Sequence, residues 1–193
     1  NDHGLPHNPV KALIVPRPIG WITSVNAAGR VNLAPYSFFN AVAENPFILA
    51  IGSSGWKHTA QNLAETGEFV FNLAAYALRD AMNTTSAPAG DGVDEMELAG
   101  LEAAPSHFVK PPRVAASPVA FECKVLEVKR LVDIDGNETN SHLMLGQVVG
   151  VHIDDSLITD GLVDITRARP ISRLGYRDYA VVDEVFQMTR PQG

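Results

Sequence analysis

Gly52-Ser-Ser-Gly-Trp-Lys-His-Thr59 sets hydroxyls, a lysine and a histidine directly before a segment with helical spacing, Ala60, Leu63 and Ala64. The first turn of a helix leaves backbone N–H groups unpaired and carries partial positive charge, so an anion such as a phosphate settles there. Ser53, Ser54 and Thr59 add hydroxyl donors, Lys57 adds a charge, and His58 donates in the right tautomer. The same residues also describe a plain capped helix with a solvated lysine, and spacing alone favours that reading. A second group is Pro35-Tyr-Ser-Phe-Phe-Asn40, where hydroxyl and amide side chains alternate with aromatic rings. Such a loop suits a planar ligand with polar edges, since rings cover the face while amides and hydroxyls reach the rim. Its alternative is an ordinary loop with a hydrophobic anchor.

Other chemistry-bearing residues are less organised. Asp94, Glu95 and Glu97 lie in an acidic helical turn, Asp91 to Gly100, which reads as a solvated helix with acids at its N-terminus. His142 and His152 stand at opposite ends of one strand, without the spacing to a second ligand that a zinc site shows, and read as hydrogen-bonded structural histidines. Arg169, Arg173, Tyr176 and Tyr179 cluster near the end, able to bracket a flat ligand by charge and stacking or to anchor the C-terminus. Cys123 shares a strand face with Val119, Phe121 and Val125 and reads as a buried, inert thiol.

The elements that must position these groups are mostly strands. Ile19 to Val25 is rich in β-formers, Asn26-Ala-Ala-Gly29 supplies the turn, and Val31 to Ala34 returns. Phe47 to Ile51 is a short apolar run suited to a buried strand. Thr59 is a candidate N-cap and Gly67 a stop for the helix between them. Phe69 to Ala74, Val119 to Val132, His142 to Ile153 and Asp178 to Phe186 add strands, and Tyr76 to Asn83 a short helix. The alternation of Val119 to Val132 slips after Val125, which predicts a bulge. Gly146 and Gly150 leave room for another group to approach the next strand. Ala12 to Val15 reads as a short strand leading to Pro16 and Pro18.

About eight strand-like segments without βαβ alternation predict a mainly β fold, a small antiparallel barrel with Greek-key connections and a few short helices. The 193 residues read as one domain, with 84–118 an irregular, proline-bearing excursion that covers one end of the barrel or reaches a second subunit. A net charge of -7 without basic blocks argues against a nucleic-acid partner. No apolar run approaches the ~20 residues of a membrane helix. With one cysteine and no secretory pattern, a reducing cytoplasm is the expected setting. Neither a strand-linked Gly-X-Gly-X-X-Gly nor a Walker loop is present, which argues against a Rossmann or P-loop nucleotide site.

Arg17-Pro-Ile-Gly-Trp-Ile-Thr-Ser24, Asn32-Leu-Ala-Pro-Tyr-Ser-Phe-Phe-Asn40, Pro46, Lys57-His-Thr59 with Asn62, Glu68-Phe-Val-Phe-Asn72, and Arg173-Leu-Gly175 with Tyr179 run in one order along almost the whole chain. In that order they resemble the flavin reductase-like family, FMN-binding split β-barrel proteins that include flavoredoxin. The resemblance implies a split barrel that binds FMN. It implies ring-edge and ribityl contacts at Trp21, Thr23, Ser24, Asn32, Ala34, Ser37 and Asn40, by backbone as much as side chain. Ser53, Ser54, Lys57, His58 and Thr59 would hold the phosphate, and Arg173 would lie near the flavin. The implied activity is NAD(P)H-dependent flavin reduction, with NADH or NADPH as donor and electrons passed to free flavin or a partner protein, in a homodimer. No acid–base dyad and no metal are required, because hydride transfer belongs to the cofactor. A flavoredoxin-like FMN electron carrier, a non-catalytic flavin-binding module and a barrel kept for interaction alone are the alternatives.

Overall fold

A computed structural model describes residues 3–88, 90 and 92–191. Its centre is a seven-stranded antiparallel sheet: β1 Gly20–Val25, β2 Val31–Tyr36, β3 Phe39–Glu44, β4 Phe47–Ser54, β5 Glu68–Leu73, β6 Val119–Val132 and β7 Glu138–Ile153. The order across the sheet is β2-β1-β5-β6-β7-β4-β3. The two outermost strands are therefore consecutive in sequence, and Ser37-Phe38 joins them. The Gly52 N–H donates to the Phe38 carbonyl at 2.6 Å, tying this link to β4 as the sheet curls round.

β1 shows why a central strand reads as continuously apolar. Trp21 and Ile22 are both fully buried, yet as neighbours on a strand they face opposite sides. Ile22 packs inside the barrel with Leu49, Ile51, Leu63, Phe69, Phe71, Cys123 and Met144. Trp21 packs outside with Leu33, Met82, Met96 and Val114. Burying either side chain stabilises the fold by about 1.5–3 kcal/mol. The turn after β1 forms where the sequence predicts it: the Asn26 side-chain oxygen accepts from the Ala28 and Arg30 amides, and Gly29 takes φ 78°.

Three sequence expectations change at the level of elements. Pro35 to Asn40 is not a polar loop, because Pro35 and Tyr36 finish β2 while Phe39 and Asn40 begin β3. Ala12 and Leu13 belong to a one-turn helix, Val10–Leu13, which leaves Leu13 and Ile14 largely exposed. The last strand shrinks to Tyr179–Val181, which joins Ile171–Arg173 and Arg17–Pro18 in a three-stranded sheet. The bulge after Val125 is present: Gly146 pairs with Val125 but Leu145 with Glu127, leaving Leu126 over. A Cβ on Gly146 would meet the Phe69 ring at 2.2 Å, and one on Gly150 the Phe108 ring at 2.6 Å, so each glycine admits an aromatic ring.

Helix α1, His58–Thr66, ends at Gly67 in the left-handed conformation, whose N–H bonds the Leu63 carbonyl. Helices α2, Arg79–Thr84, and α3, Glu95–Leu98, lie in and beside the 84–118 excursion. The excursion lies along the outer face of β1, β5 and β6. The Trp21 indole donates to Thr85, the Val114 N–H to the Asn72 side chain, and the His107, Phe108 and Val109 amides to Glu122. The first residue of the acidic turn, Asp91, lies outside the described residues. Among those described, no helix is long and apolar enough to cross a membrane.

Candidate functional site

The alternation of β2 turns Asn32, Ala34 and Tyr36 to one side, toward the first turn of α1, while Leu33 points into the outer layer. Between this edge strand, α1 and the excursion lies a cleft of about 290 Å³, lined by Asn32, Ala34, Tyr36, Lys57, Thr59 and Glu95, with Thr85 to Pro88 along its outer wall. A second cleft of about 290 Å³, bordered by Arg30, Gln61 and Asn62, shares Asn32 and His58 with it.

The side chains at its floor hold one another in place. Asn32 Nδ2 donates to Thr59 Oγ1 at 2.9 Å, and Asn62 Nδ2 donates to Ser24 Oγ at 3.0 Å, so two buried bonds pin α1 to the sheet. Helix α1 begins at His58, two residues before the start that an N-cap at Thr59 predicts. Lys57 occupies the cap position without a side-chain cap bond, and Thr59 sits inside the first turn. Unsatisfied amides of that turn therefore have no side-chain substitute at the cap, the situation in which an anion is favoured.

The Tyr36 hydroxyl is the exception in this floor. It is buried and makes no hydrogen bond with the protein. Burial pushes the phenol above its ordinary value, the Glu95 charge adds to that, and the nearby Thr59 and Ser53 hydroxyls oppose it without reaching bonding geometry. Tyr36 therefore stays neutral and keeps its O–H as a donor. Buried polar groups are nearly always bonded, so a hydroxyl left alone in a cleft calls for a partner from outside the chain.

Glu95 is the other group the sequence did not reveal. It is only 5% exposed, and its Oε2 accepts the outward N–H of Leu33 on the sheet edge at 3.1 Å. The expectation of a wholly solvated acidic helix is corrected here: Asp94 caps α3, accepting from the Met96 and Glu97 amides, and Glu95 turns inward.

The sequence-predicted residues divide into five groups. Asn32, Ala34, Lys57, His58 and Thr59 meet at the cleft, with Lys57 and His58 exposed at its rim. Trp21, Thr23, Ser24 and Ser53 lie beneath or behind it, with side chains bonded to protein: Trp21 to Thr85, Thr23 to Asn72, Ser24 to Asn62, Ser53 to the Gly55 carbonyl. The first three are wholly buried because β1 is covered on both faces, so their side chains are closed to a ligand. Ser54 is exposed and its backbone pairs with Ser141. Ser37 and Asn40 line a different cleft, of about 400 Å³, with Arg17, Phe38 and Phe39. Arg173 stands apart, donating to the Asp178 and Tyr176 carbonyls and lying 4.5 Å from the Tyr179 ring.

The two strand histidines also diverge. His152 Nε2 lies 2.6 Å from Glu122 Oε1, with the His107 ring stacked at 5.2 Å. His142 is buried with Nδ1 unbonded, under the edge of the Trp56 ring at 4.9 Å. Among the described residues no group of three His, Cys, Asp or Glu could hold a metal ion. The period-two register Asn32, Ala34, Tyr36 was the available signal for Tyr36. Glu95 left none, since its partner lies 62 residues away.

A family model described as "Flavin reductase like domain" matches residues 12–171. The chain belongs to this family. Among solved structures similar to this flavin reductase-like chain is nitrilotriacetate monooxygenase component B from Bacillus cereus, 30% identical, TM-score 0.86, covering 97% of this chain and 100% of that one. Another is 2-nitrobenzoate 2-nitroreductase NbaA from Pseudomonas fluorescens, 27% identical, TM-score 0.84, covering 99% of this chain and 95% of the other. A split barrel domain protein of Shewanella frigidimarina NCIMB 400, 22% identical with TM-score 0.84 over 94% of this chain and 90% of its own, shares the fold. The curled seven-stranded sheet is thus the split barrel of the flavin reductase-like fold, as the sequence predicts. Membership carries the general class of chemistry, flavin-linked oxidoreduction.

Proposed function

We propose that this flavin reductase-like protein binds FMN in the cleft between β2 and α1 and uses it to pass electrons from NADH or NADPH to a free flavin or a protein acceptor. The observation that carries the reading is the Tyr36 hydroxyl, buried and unbonded at the floor of a cleft that opens on the first turn of α1. The donor set fits the group. Lys57, the Thr59 hydroxyl and the α1 amides suit a phosphate, while Asn32 and Tyr36 offer further donors beside it.

Glu95 gives the cleft a second, negative end. A phosphate is repelled from it, whereas hydroxyls of a ribityl chain donate to it, so the cleft orients a molecule that carries both. When bound, FMN supplies the hydride-accepting ring. The chain supplies position and the fixed donors that favour added negative charge. The Bacillus cereus relative is named as a monooxygenase component, which supports a protein acceptor. A homodimer is part of the proposal. Val42 and Phe47 are exposed near one sheet edge, and Phe47 meets Phe121 edge to face, leaving apolar surface for a second copy to cover.

The test is a titration of flavin-free protein with FMN, followed by anaerobic addition of NADH and then NADPH. Saturable binding and bleaching of the flavin absorbance by one nucleotide are expected. Failure to bind FMN overturns the proposal. Binding without bleaching by either nucleotide replaces the reductase with a carrier or a non-catalytic flavin module.

A further inference from the structure

The largest cleft described above, about 400 Å³, lies across the Ser37-Phe38 link from the proposed flavin seat. Its walls are apolar: Ile14, Phe38, Phe39, Ala50 and Leu143. Its charged residues are Lys11 and Arg17, and none of its lining residues is acidic. The charge of this cleft is thus positive, in a chain of net charge -7.

Arg17 makes the case. Its side chain is nearly enclosed, at 6% exposure. The guanidinium donates to the carbonyls of Lys11, Ile14 at 2.8 Å and Leu174 at 2.9 Å, and Nε points to Ser37 Oγ at 3.5 Å. Every one of these acceptors is neutral. No carboxylate among the described residues forms an ion pair with it, so its hydrogen bonds are largely met while its charge is not. A buried cation without a counter-ion costs stability, and a bound anion relieves that cost. Above it the Phe38 ring is 53% exposed, with Lys11 Nζ 5.8 Å and the Arg17 guanidinium 6.0 Å from its centroid.

We propose that this cleft is a separate binding site for an aromatic carboxylate. The ring of the ligand packs on Phe38 and Leu143, and its carboxylate lies in the field of Arg17 within reach of Lys11 and the Ser37 hydroxyl. The volume suits one small aromatic molecule. This inference does not depend on the flavin reading, because none of its residues lines the cleft beneath α1.

Benzoate and its neutral counterpart benzamide are titrated calorimetrically into the flavin-free protein at low ionic strength. Benzoate is expected to bind at least about tenfold more tightly than benzamide, and Lys11→Ala, a surface change, to shrink that preference. Leu143→Trp, which fills the cleft, should abolish benzoate binding while FMN affinity stays unchanged. Equal affinity for the two probes, absence of benzoate binding, or competition between benzoate and FMN overturns the proposal. Should Leu143→Trp fail to fold, the Lys11→Ala comparison decides: an undiminished preference sinks the charge argument.

Discussion

Asn32 on the sheet edge donates its side-chain amide to the hydroxyl of Thr59 in the first turn of α1, 2.9 Å away and 27 residues on. Together with the Asn62–Ser24 bond, it holds the strand face that carries Tyr36 against the helix start that carries Lys57. Replacing Asn32 with Ala leaves Thr59 without its donor and the turn free to shift, so FMN affinity should fall by about 1–3 kcal/mol while the barrel stays folded. Fluorescence titration of FMN, with circular dichroism as the control, checks both halves.

Lys57→Ala combined with Thr59→Ala removes a charge and a hydroxyl from the proposed phosphate seat. FMN binding should weaken by about tenfold or more, roughly 1.5–3 kcal/mol, and riboflavin binding should change far less. Equal losses for the two flavins would refute the phosphate assignment.

Tyr36→Phe separates a structural hydroxyl from a ligand-binding one. Because the hydroxyl has no protein partner, its removal relieves an unmet polar group and should leave the flavin-free protein as stable or about 1 kcal/mol more stable. FMN affinity should move the other way. Urea denaturation and FMN titration on the same variant read the two signs; a loss of stability in the flavin-free form would show a structural hydroxyl.

Glu122 governs how acid loosens the excursion. Burial works to raise its pKa, but the His107 amide, the His152 ring and the Phe108 amide outweigh it and hold the carboxyl below its ordinary 4.5. A carboxylate whose pKa is depressed on folding stabilises the fold fully above its unfolded value, and that contribution disappears as pH falls through the folded one. Protection factors of the residue 107–109 amides, with exchange rates corrected for the intrinsic pH dependence, should therefore fall as the pH drops below about 4.5. Glu122→Gln should show fast exchange there already at neutral pH and a flatter acid limb.

Gly146→Ala forces a methyl group into the Phe69 ring, with a Cβ only 2.2 Å from it in a fully buried core. Overpacking of this kind should destabilise by about 1–3 kcal/mol, read as a lower denaturation midpoint with an unchanged slope.

The sequence made the inner frame legible because its signals are local. Ile22, Ile51 and Phe69 sit in short apolar runs, the Asn26 turn and the Gly67 stop announce themselves by residue type, and the slip after Val125 marks the bulge. At the cleft, Lys57 and Thr59 stand out as hydroxyl and charge beside a helix start. What stayed hidden depends on long-range packing. Trp21 and Thr23 look available on a strand with one open face until the excursion laid over β1 closes them, while on the other face α1 covers Ser24 through Asn62. Glu95 looks solvated until the unpaired Leu33 amide, far away in sequence, draws it inward. Ser37 and Asn40 look continuous with Asn32, but the strand turns at Ser37-Phe38 and delivers them to another cavity.

The β6–β7 ribbon outlasts the sheet it grows from. Past Asn140, whose carbonyl accepts from the Gly55 N–H, its strands turn back on each other at Asp133 to Asn137, with Ile134 fully in solvent. A tip so detached is a handle: it can be shortened, lengthened or recoloured by evolution without displacing a single atom that lines either cavity. What this chain touches and what it holds are thereby free to change separately.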